Sequence, residues 1–164
     1  MRKKLAALAI AVTAAFPAAA PAVGQPLAEP TAAANVPEVP AKAWLLADLD
    51  TGRILASANP YESHAPASTI KPLLAMVVLY QLPLNAVIRA STADTDVECS
   101  CVGVKAGRAY TVRQLLDGLL LVSGNDAANT LADGLGGYQV AVAKMNAKAA
   151  ALGARNTHAS SPSG

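Results

Sequence analysis

Cysteine, histidine and aromatic residues are scarce in this 164-residue chain, which has two cysteines, two histidines, one Trp, one Phe and four Tyr. Two thiolates fall short of a metal's ligand set, and His64 and His158 stand far from Cys99 and Cys101 in the sequence, so neither a metal site nor a cofactor is expected. Basic residues form no cluster and do not interleave with aromatics, which argues against a nucleic-acid partner. The apolar run from Leu5 to Phe16 is too short to span a bilayer comfortably, and no cysteine lies near it to carry a lipid. Cys99 and Cys101 themselves, in "CSC", leave two states open: a disulfide across a tight ring that needs a bent backbone, or a free pair.

The N-terminus has the layout of an export signal. "MRKK" is basic, Leu5 to Phe16 is apolar, and Ala20-Pro21-Ala22 offers a small-x-small cleavage site, so residues 1–22 are expected to be a signal peptide and the protein extracytoplasmic. Removing that leader takes away Arg2, Lys3 and Lys4 and no acid. Thirteen basic residues become ten against eleven acidic ones, and the net charge of +2 falls to about −1. Residues 23–41, rich in Pro and Ala and without periodicity, are expected to form an extended linker, with the folded domain over 42–164.

Within that domain "AWLLADLDTGRILASA" reads as two short strands about a turn at Asp50-Thr51-Gly52, where Gly52 can take positive φ. A loop, "NPYESHAP", precedes a helix expected from about Ser68 to Leu82; Pro72 is compatible only with its first turn, which puts Ser68 at the N-terminus. Residues 83–109 are mixed and turn-rich. Thr111 with Gln114 three residues on forms a capping-box pattern that opens a helix through "LLDGLLLV". That helix halts at "SGND", a short helix follows in "DAANTLADGL", and a last one in "YQVAVAKMNAKAAALGA" is expected to turn Val140, Met145 and Ala149 inward with Lys144 and Lys148 outside. A hairpin followed by helices suits an α/β or α+β domain. Two strands alone make a marginal sheet, so either further strands follow Gly164 or the core is mostly helical.

Two short stretches carry candidate chemistry. In "PASTIK", Ser68 and Lys71 lie three residues apart, within reach of one another on one helical face. A serine hydroxyl needs a base beside it to become a nucleophile, and Lys71 can serve if burial lowers its pKa from about 10.4. A helix N-terminus adds N–H groups and positive dipole where an oxyanion would develop. The plain alternative is a serine N-cap followed by a lysine lying along the first turn. Fifty-five residues after Ser68, "VSGNDAAN" interrupts two helical segments, and such a loop can bring the Ser123 hydroxyl and Asn125 amide into a cleft. Its plain alternative is a helix break capped by Ser123 and Asp126.

S-x-x-K followed by S-x-N is the ordered signature of the active-site-serine penicillin-binding enzymes and β-lactamases. Residues 42–164 most resemble the serine D-alanyl-D-alanine carboxypeptidases, the low-molecular-weight penicillin-binding proteins, through "LLADLDTGRIL", "PASTIK", "LLLVSGNDAANTLAD", "VAKMNAKAAALG" and "THASSPSG". The resemblance implies the β-lactamase/DD-peptidase-like fold, peptidoglycan stem peptides ending in D-Ala-D-Ala as substrate, and β-lactams as covalent inhibitors. It implies Ser68 as the acylated nucleophile, Lys71 as its general base, Ser123 in proton transfer to the leaving D-alanine, and Asn125 in substrate orientation. Thr69 and Ile70 serve packing or spacing, and Asp126 and Asn129 receive no chemical role. The family's third motif, K-T-G, is missing: the nearest text, "KAG" at Lys105 to Gly107, precedes S-x-N. The chain therefore reads as an N-terminal portion whose sheet is incomplete, with little or no turnover of its own. A class A-like β-lactamase, which typically carries S-D-N where this chain has Ser123-Gly124-Asn125, and a non-catalytic cell-wall-binding fragment are the competing readings. A membrane anchor beyond residue 164 cannot be read from this text.

Overall fold

The computed structural model describes residues 39–164. The expected signal peptide and all but the last positions of the expected linker lie outside the described residues. No helix among the described residues is long and apolar enough to cross a membrane.

The hairpin forms as expected. Strands β1 (Trp44–Ala47) and β2 (Ile54–Ala58) pair antiparallel, with Trp44 opposite Ala58 and an irregularity between Leu46 and Ala47. Its turn is tied by Asp48, whose Oδ1 accepts from Thr51 N at 2.8 Å and Thr51 Oγ1 at 2.6 Å, and Gly52 takes φ +71°, a conformation that costs glycine little. A 3-10 turn over Ala67–Ile70 leads directly into α1 (Lys71–Gln81), so Ser68 lies just ahead of the α-helix, and Pro72 falls in the first turn.

The turn-rich stretch holds more structure than its composition suggests. Strand β3 (Val87–Arg89) pairs antiparallel with β4 (Ala109–Thr111), Ile88 opposite Tyr110, and between them α2 (Thr92–Thr95) opens with a capping box in which Ser91 Oγ accepts from Asp94 N and Asp94 Oδ2 accepts from Ser91 N. Helix α3 (Val112–Leu121) begins at the Thr111–Gln114 capping box that the sequence predicts. It is followed by α4 (Asn125–Gly134) and α5 (Tyr138–Ala151).

The core among the described residues is helical. Leu74, Val77 and Val78 of α1, Val112, Leu115 and Leu119 of α3, Ala127, Ala128 and Leu131 of α4, and Ala141 and Met145 of α5 meet in one cluster. Helix α4 is central, touching α1, α2, α3, α5 and β3. Gly134 lets it approach β3 closely, since a Cβ there would overlap the Ile88 side chain. The hairpin buries one side chain, Ala56, outside that cluster, while Leu45, Leu46 and Leu55 stay exposed.

Two expectations about the helical faces need correction. In α5 the inward stripe is Ala141, Met145 and Ala149, at four-residue spacing, and Val140 is exposed because it lies one residue, about 100°, off that stripe. Lys144 is only half-exposed, donating to Gln81 Oε1 at 2.7 Å and to the Leu135 carbonyl at 2.8 Å. The apolar end of α3 is not buried either: Leu120, Leu121 and Val122 are exposed beyond the stripe formed by Val112, Leu115, Leu116 and Leu119.

Candidate active site

Lys71 begins α1, and its side chain is only 2 % exposed. An ammonium buried so deeply must find acceptors, and four oxygens surround its Nζ. Ser68 Oγ lies at 3.0 Å, Ser123 Oγ at 3.0 Å, the Ser123 carbonyl at 2.5 Å and Asn125 Oδ1 at 2.7 Å. Three of the residues singled out from the sequence thus converge on the nitrogen of the fourth, across 52 residues of chain for Ser123 and 54 for Asn125. Burial lowers the Lys71 pKa from its ordinary value, and the charge of Asp126 partly opposes that shift.

The valences around Nζ can be assigned. The Ser123 carbonyl and Asn125 Oδ1 can only accept, so they take two N–H bonds whatever the protonation state. The third valence is left for the two hydroxyls. As an ammonium, Lys71 donates a third N–H to one of them; as a neutral amine, it offers them a lone pair. That lone pair, 3.0 Å from Ser68 Oγ, can take the serine proton. Ser68 itself is exposed, so a reacting group can reach it from solvent while its base stays out of water.

Local strain shapes both sides of the site. Ala67, just before the serine, has φ +46°, and Ser123 has φ +61°. These left-handed conformations are uncommon for residues with a Cβ and cost of order 1–3 kcal/mol each. At Ser123 the reversal between α3 and α4 lets one residue present both its carbonyl and its hydroxyl to Lys71. The C-terminal segment comes close to Ala67: a Cβ on Gly164 would fall on the Ala67 carbonyl, so only glycine fits there. Asn146 of α5 holds that segment with a donor and an acceptor bond to the backbone of Ala159.

Asp126 takes a structural place, though not the capping one that the plain alternative offered. It does not cap α4, whose N-cap is Gly124 with no side-chain bond, and Ser123 does not cap it either. Its carboxylate, 2 % exposed, reaches across to the 98–104 loop and accepts from the N–H groups of Val102 (3.0 Å), Gly103 (2.9 Å) and Val104 (2.8 Å), and from Ala127 N at 2.8 Å. Such a set of donors suits a buried anion. Gly124 belongs to the same junction. Its φ of −66° would admit any residue, but a Cβ would come within 2.8 Å of Asp126 Oδ1 and 3.0 Å of Val102 Cγ1. Asn129 is half-buried on α4, Ile70 packs into the core, and Thr69, exposed, donates to the Pro66 carbonyl.

The loop gripped by Asp126 carries the Cys99–Cys101 disulfide, which settles the alternative that composition left open. It also touches the site directly. Asn125 N donates to the Ser100 carbonyl at 2.6 Å and Asn125 Nδ2 to the Glu98 carbonyl at 2.7 Å. The sequence hinted at this only through the bend a C-x-C ring demands. No cluster of three or more metal-ligating side chains occurs among the described residues.

Residues 30–164 match the family described as D-alanyl-D-alanine carboxypeptidase. The chain is 62% identical over 136 residues to D-alanyl-D-alanine carboxypeptidase DacB2 of Mycobacterium tuberculosis, a match covering 83% of this chain and 47% of that protein. A crystal structure of a D-alanyl-D-alanine carboxypeptidase from the same organism superposes with a TM-score of 0.80 at 61% identity, covering 84% of this chain and 52% of that one. Penicillin binding protein 5 from Haemophilus influenzae is similar at TM-score 0.74 and 26% identity, over 79% of this chain and 40% of the other. The chain spans about half the length of the M. tuberculosis proteins it matches.

Proposed function

Because the chain belongs to the D-alanyl-D-alanine carboxypeptidase family, we propose that it is the part of a serine-type carboxypeptidase that acylates Ser68 with peptides ending in D-Ala-D-Ala. The observation that carries this reading is Lys71: a buried amine whose two fixed acceptors leave its remaining valence facing Ser68 Oγ at 3.0 Å. Ser68 Oγ attacks the carbonyl of the penultimate D-alanine while its proton passes to Lys71 Nζ. The tetrahedral intermediate collapses by breaking the peptide C–N bond, and the leaving amine takes a proton relayed through Ser123 Oγ, 3.0 Å from Nζ. Free D-alanine departs, leaving an ester on Ser68, and water hydrolyses that ester to restore the serine. Asn125 holds Lys71 through Oδ1 and orients the substrate beside it.

The stem peptides of peptidoglycan lie outside the cytoplasm, and the sequence of residues 1–22 suits export to them. β-Lactams acylate the same serine. The second reading is a fragment that binds cell-wall peptides without chemistry.

A fluorescent penicillin separates these readings. The expected result is one covalent adduct by intact mass, absent from Ser68→Ala, and slow to hydrolyse. Binding of a D-Ala-D-Ala peptide without any adduct would support the second reading. A version of the protein carrying a K-T-G strand that took no label on Ser68 would overturn the first, and rapid hydrolysis of nitrocefin would point to a β-lactamase.

A further inference from the structure

We propose that the Cys99–Cys101 disulfide is a positioning element for Asn125, holding the two backbone carbonyls that fix which way the Asn125 amide faces. The inference deepens the acylation reading above and rests on it. The Glu98 carbonyl is bonded to the nitrogen of Cys99, and the Ser100 carbonyl lies inside the ring that the disulfide closes. These are the acceptors for Asn125 Nδ2 and Asn125 N.

An asparagine side chain has a donor end and an acceptor end, and turning it by half a rotation exchanges them. With Nδ2 held by the Glu98 carbonyl at 2.7 Å, Oδ1 faces Lys71 Nζ at 2.7 Å. Without that hold, nothing opposes the turned amide except its own clash, in which Nδ2 meets the N–H groups of Lys71 and one of the lysine's two fixed acceptors is lost.

The anchorage of the loop shows why a covalent tie matters at this place. From Val102 to Val104 the backbone is gripped by the Asp126 carboxylate. Upstream, Glu98, Cys99 and Ser100 are exposed and belong to no helix or strand. They meet the α3–α4 junction through the two Asn125 bonds and a 3.3 Å bond from Ser100 Oγ to the Val122 carbonyl. Exposed neutral hydrogen bonds contribute little each, so a ring that restricts the backbone at Ser100 keeps them formed. A dithiol such as dithiothreitol can remove the tie: two electrons and two protons open the S–S bond to two thiols, and the reagent closes to its own disulfide.

The test uses the chain labelled with 15N-asparagine. Asn125 δ-amide signals, assigned by their loss in Asn125→Ala, are expected to move toward free-amide positions on adding dithiothreitol and to return on reoxidation. The Asn146 δ-amide, bonded to Ala159 rather than to the loop, stays in place and reports that the fold is intact. In parallel, labelling of Ser68 by fluorescent penicillin is expected to slow about tenfold on reduction. Cys99→Ser/Cys101→Ser should label at the reduced rate with or without dithiol, and Asn125→Ala should label slowly and be indifferent to dithiol. An Asn125 amide unmoved by reduction, or an Asn125→Ala chain still slowed by dithiol, would overturn the proposal. Should the oxidised chain take no label at all, the acylation reading fails while the amide signals still decide this one.

Discussion

Lys71 Nζ and Asn125 Oδ1 lie 2.7 Å apart, joined across 54 residues of sequence. Replacing that neutral amide oxygen with a carboxylate, as Asn125→Asp, puts a negative charge in contact with the amine and raises the Lys71 pKa. The rate of Ser68 acylation by penicillin is expected to fall at least tenfold at pH 7 and to recover partly at higher pH, where the amine is neutral. A stopped-flow or gel-based labelling series between pH 6 and 10 measures the displacement of the acid limb.

In the unaltered chain the same limb should lie below the ordinary lysine range, because burial favours the neutral amine over the ammonium. Acylation therefore rises with pH and levels off before pH 10.5. Lys71→Arg cannot lose its proton, so it is expected to cut the rate by about a hundredfold or more and to abolish the limb.

Asp126→Asn keeps the shape of the side chain and removes an anion that accepts from four backbone N–H groups. Bonds to charged groups contribute about 1.5–3 kcal/mol each, and the amide can still accept at one atom, so a loss of about 3 kcal/mol in unfolding free energy is expected. Chemical denaturation reads the loss, and broadened amide signals at Val102 to Val104 would place it in the loop.

Gly124→Asp would convert the second motif to the S-D-N form. The backbone angles allow it, but the space does not, since the new Cβ meets Asp126 Oδ1 and the Val102 side chain. A loss of about 1–3 kcal/mol is expected from the steric conflict, with Gly124→Ala showing most of it in thermal unfolding.

Asp133 is an exposed residue whose carboxyl end is desolvated beside Asp94, and its pKa is raised by that desolvation first and by the Asp94 charge second. A raised folded-state pKa means that the protonated form is favoured on folding. The stability it lends is complete below the unfolded value near 3.8 and fades as pH rises through the folded value. Asp133→Asn should therefore stabilise slightly at pH 7 and lose that advantage near pH 3, as melting curves at the two pH values would show.

Local signals in the sequence are legible where one residue type dictates one geometry. Gly52 in the hairpin turn, the Thr111–Gln114 capping box and the i, i+3 placement of Ser68 and Lys71 are of this kind. Features set by distant partners were not legible. Strands β3 and β4 have three residues each and are defined by pairing across about 20 positions rather than by alternation. The exposure of Val140 has no local signal, because three-, four- and five-residue spacings all look helical until the neighbouring helices fix the phase. The grip of Asp126 on Val102 to Val104 depends on a loop more than twenty residues away folding back, which no local pattern encodes.

A buried carboxylate near a lysine would ordinarily pin that lysine as a cation, the wrong state for accepting a proton. Asp126 does raise the Lys71 pKa, yet the larger influence, burial, lowers it. The carboxylate's own bonds go elsewhere: three backbone N–H groups of the 98–104 loop and that of Ala127 donate to it, and it acts on the amine only through its charge. The 98–104 loop thus acts as a counterweight. It holds a buried acid in place with backbone donors, so that no lysine is needed to satisfy it.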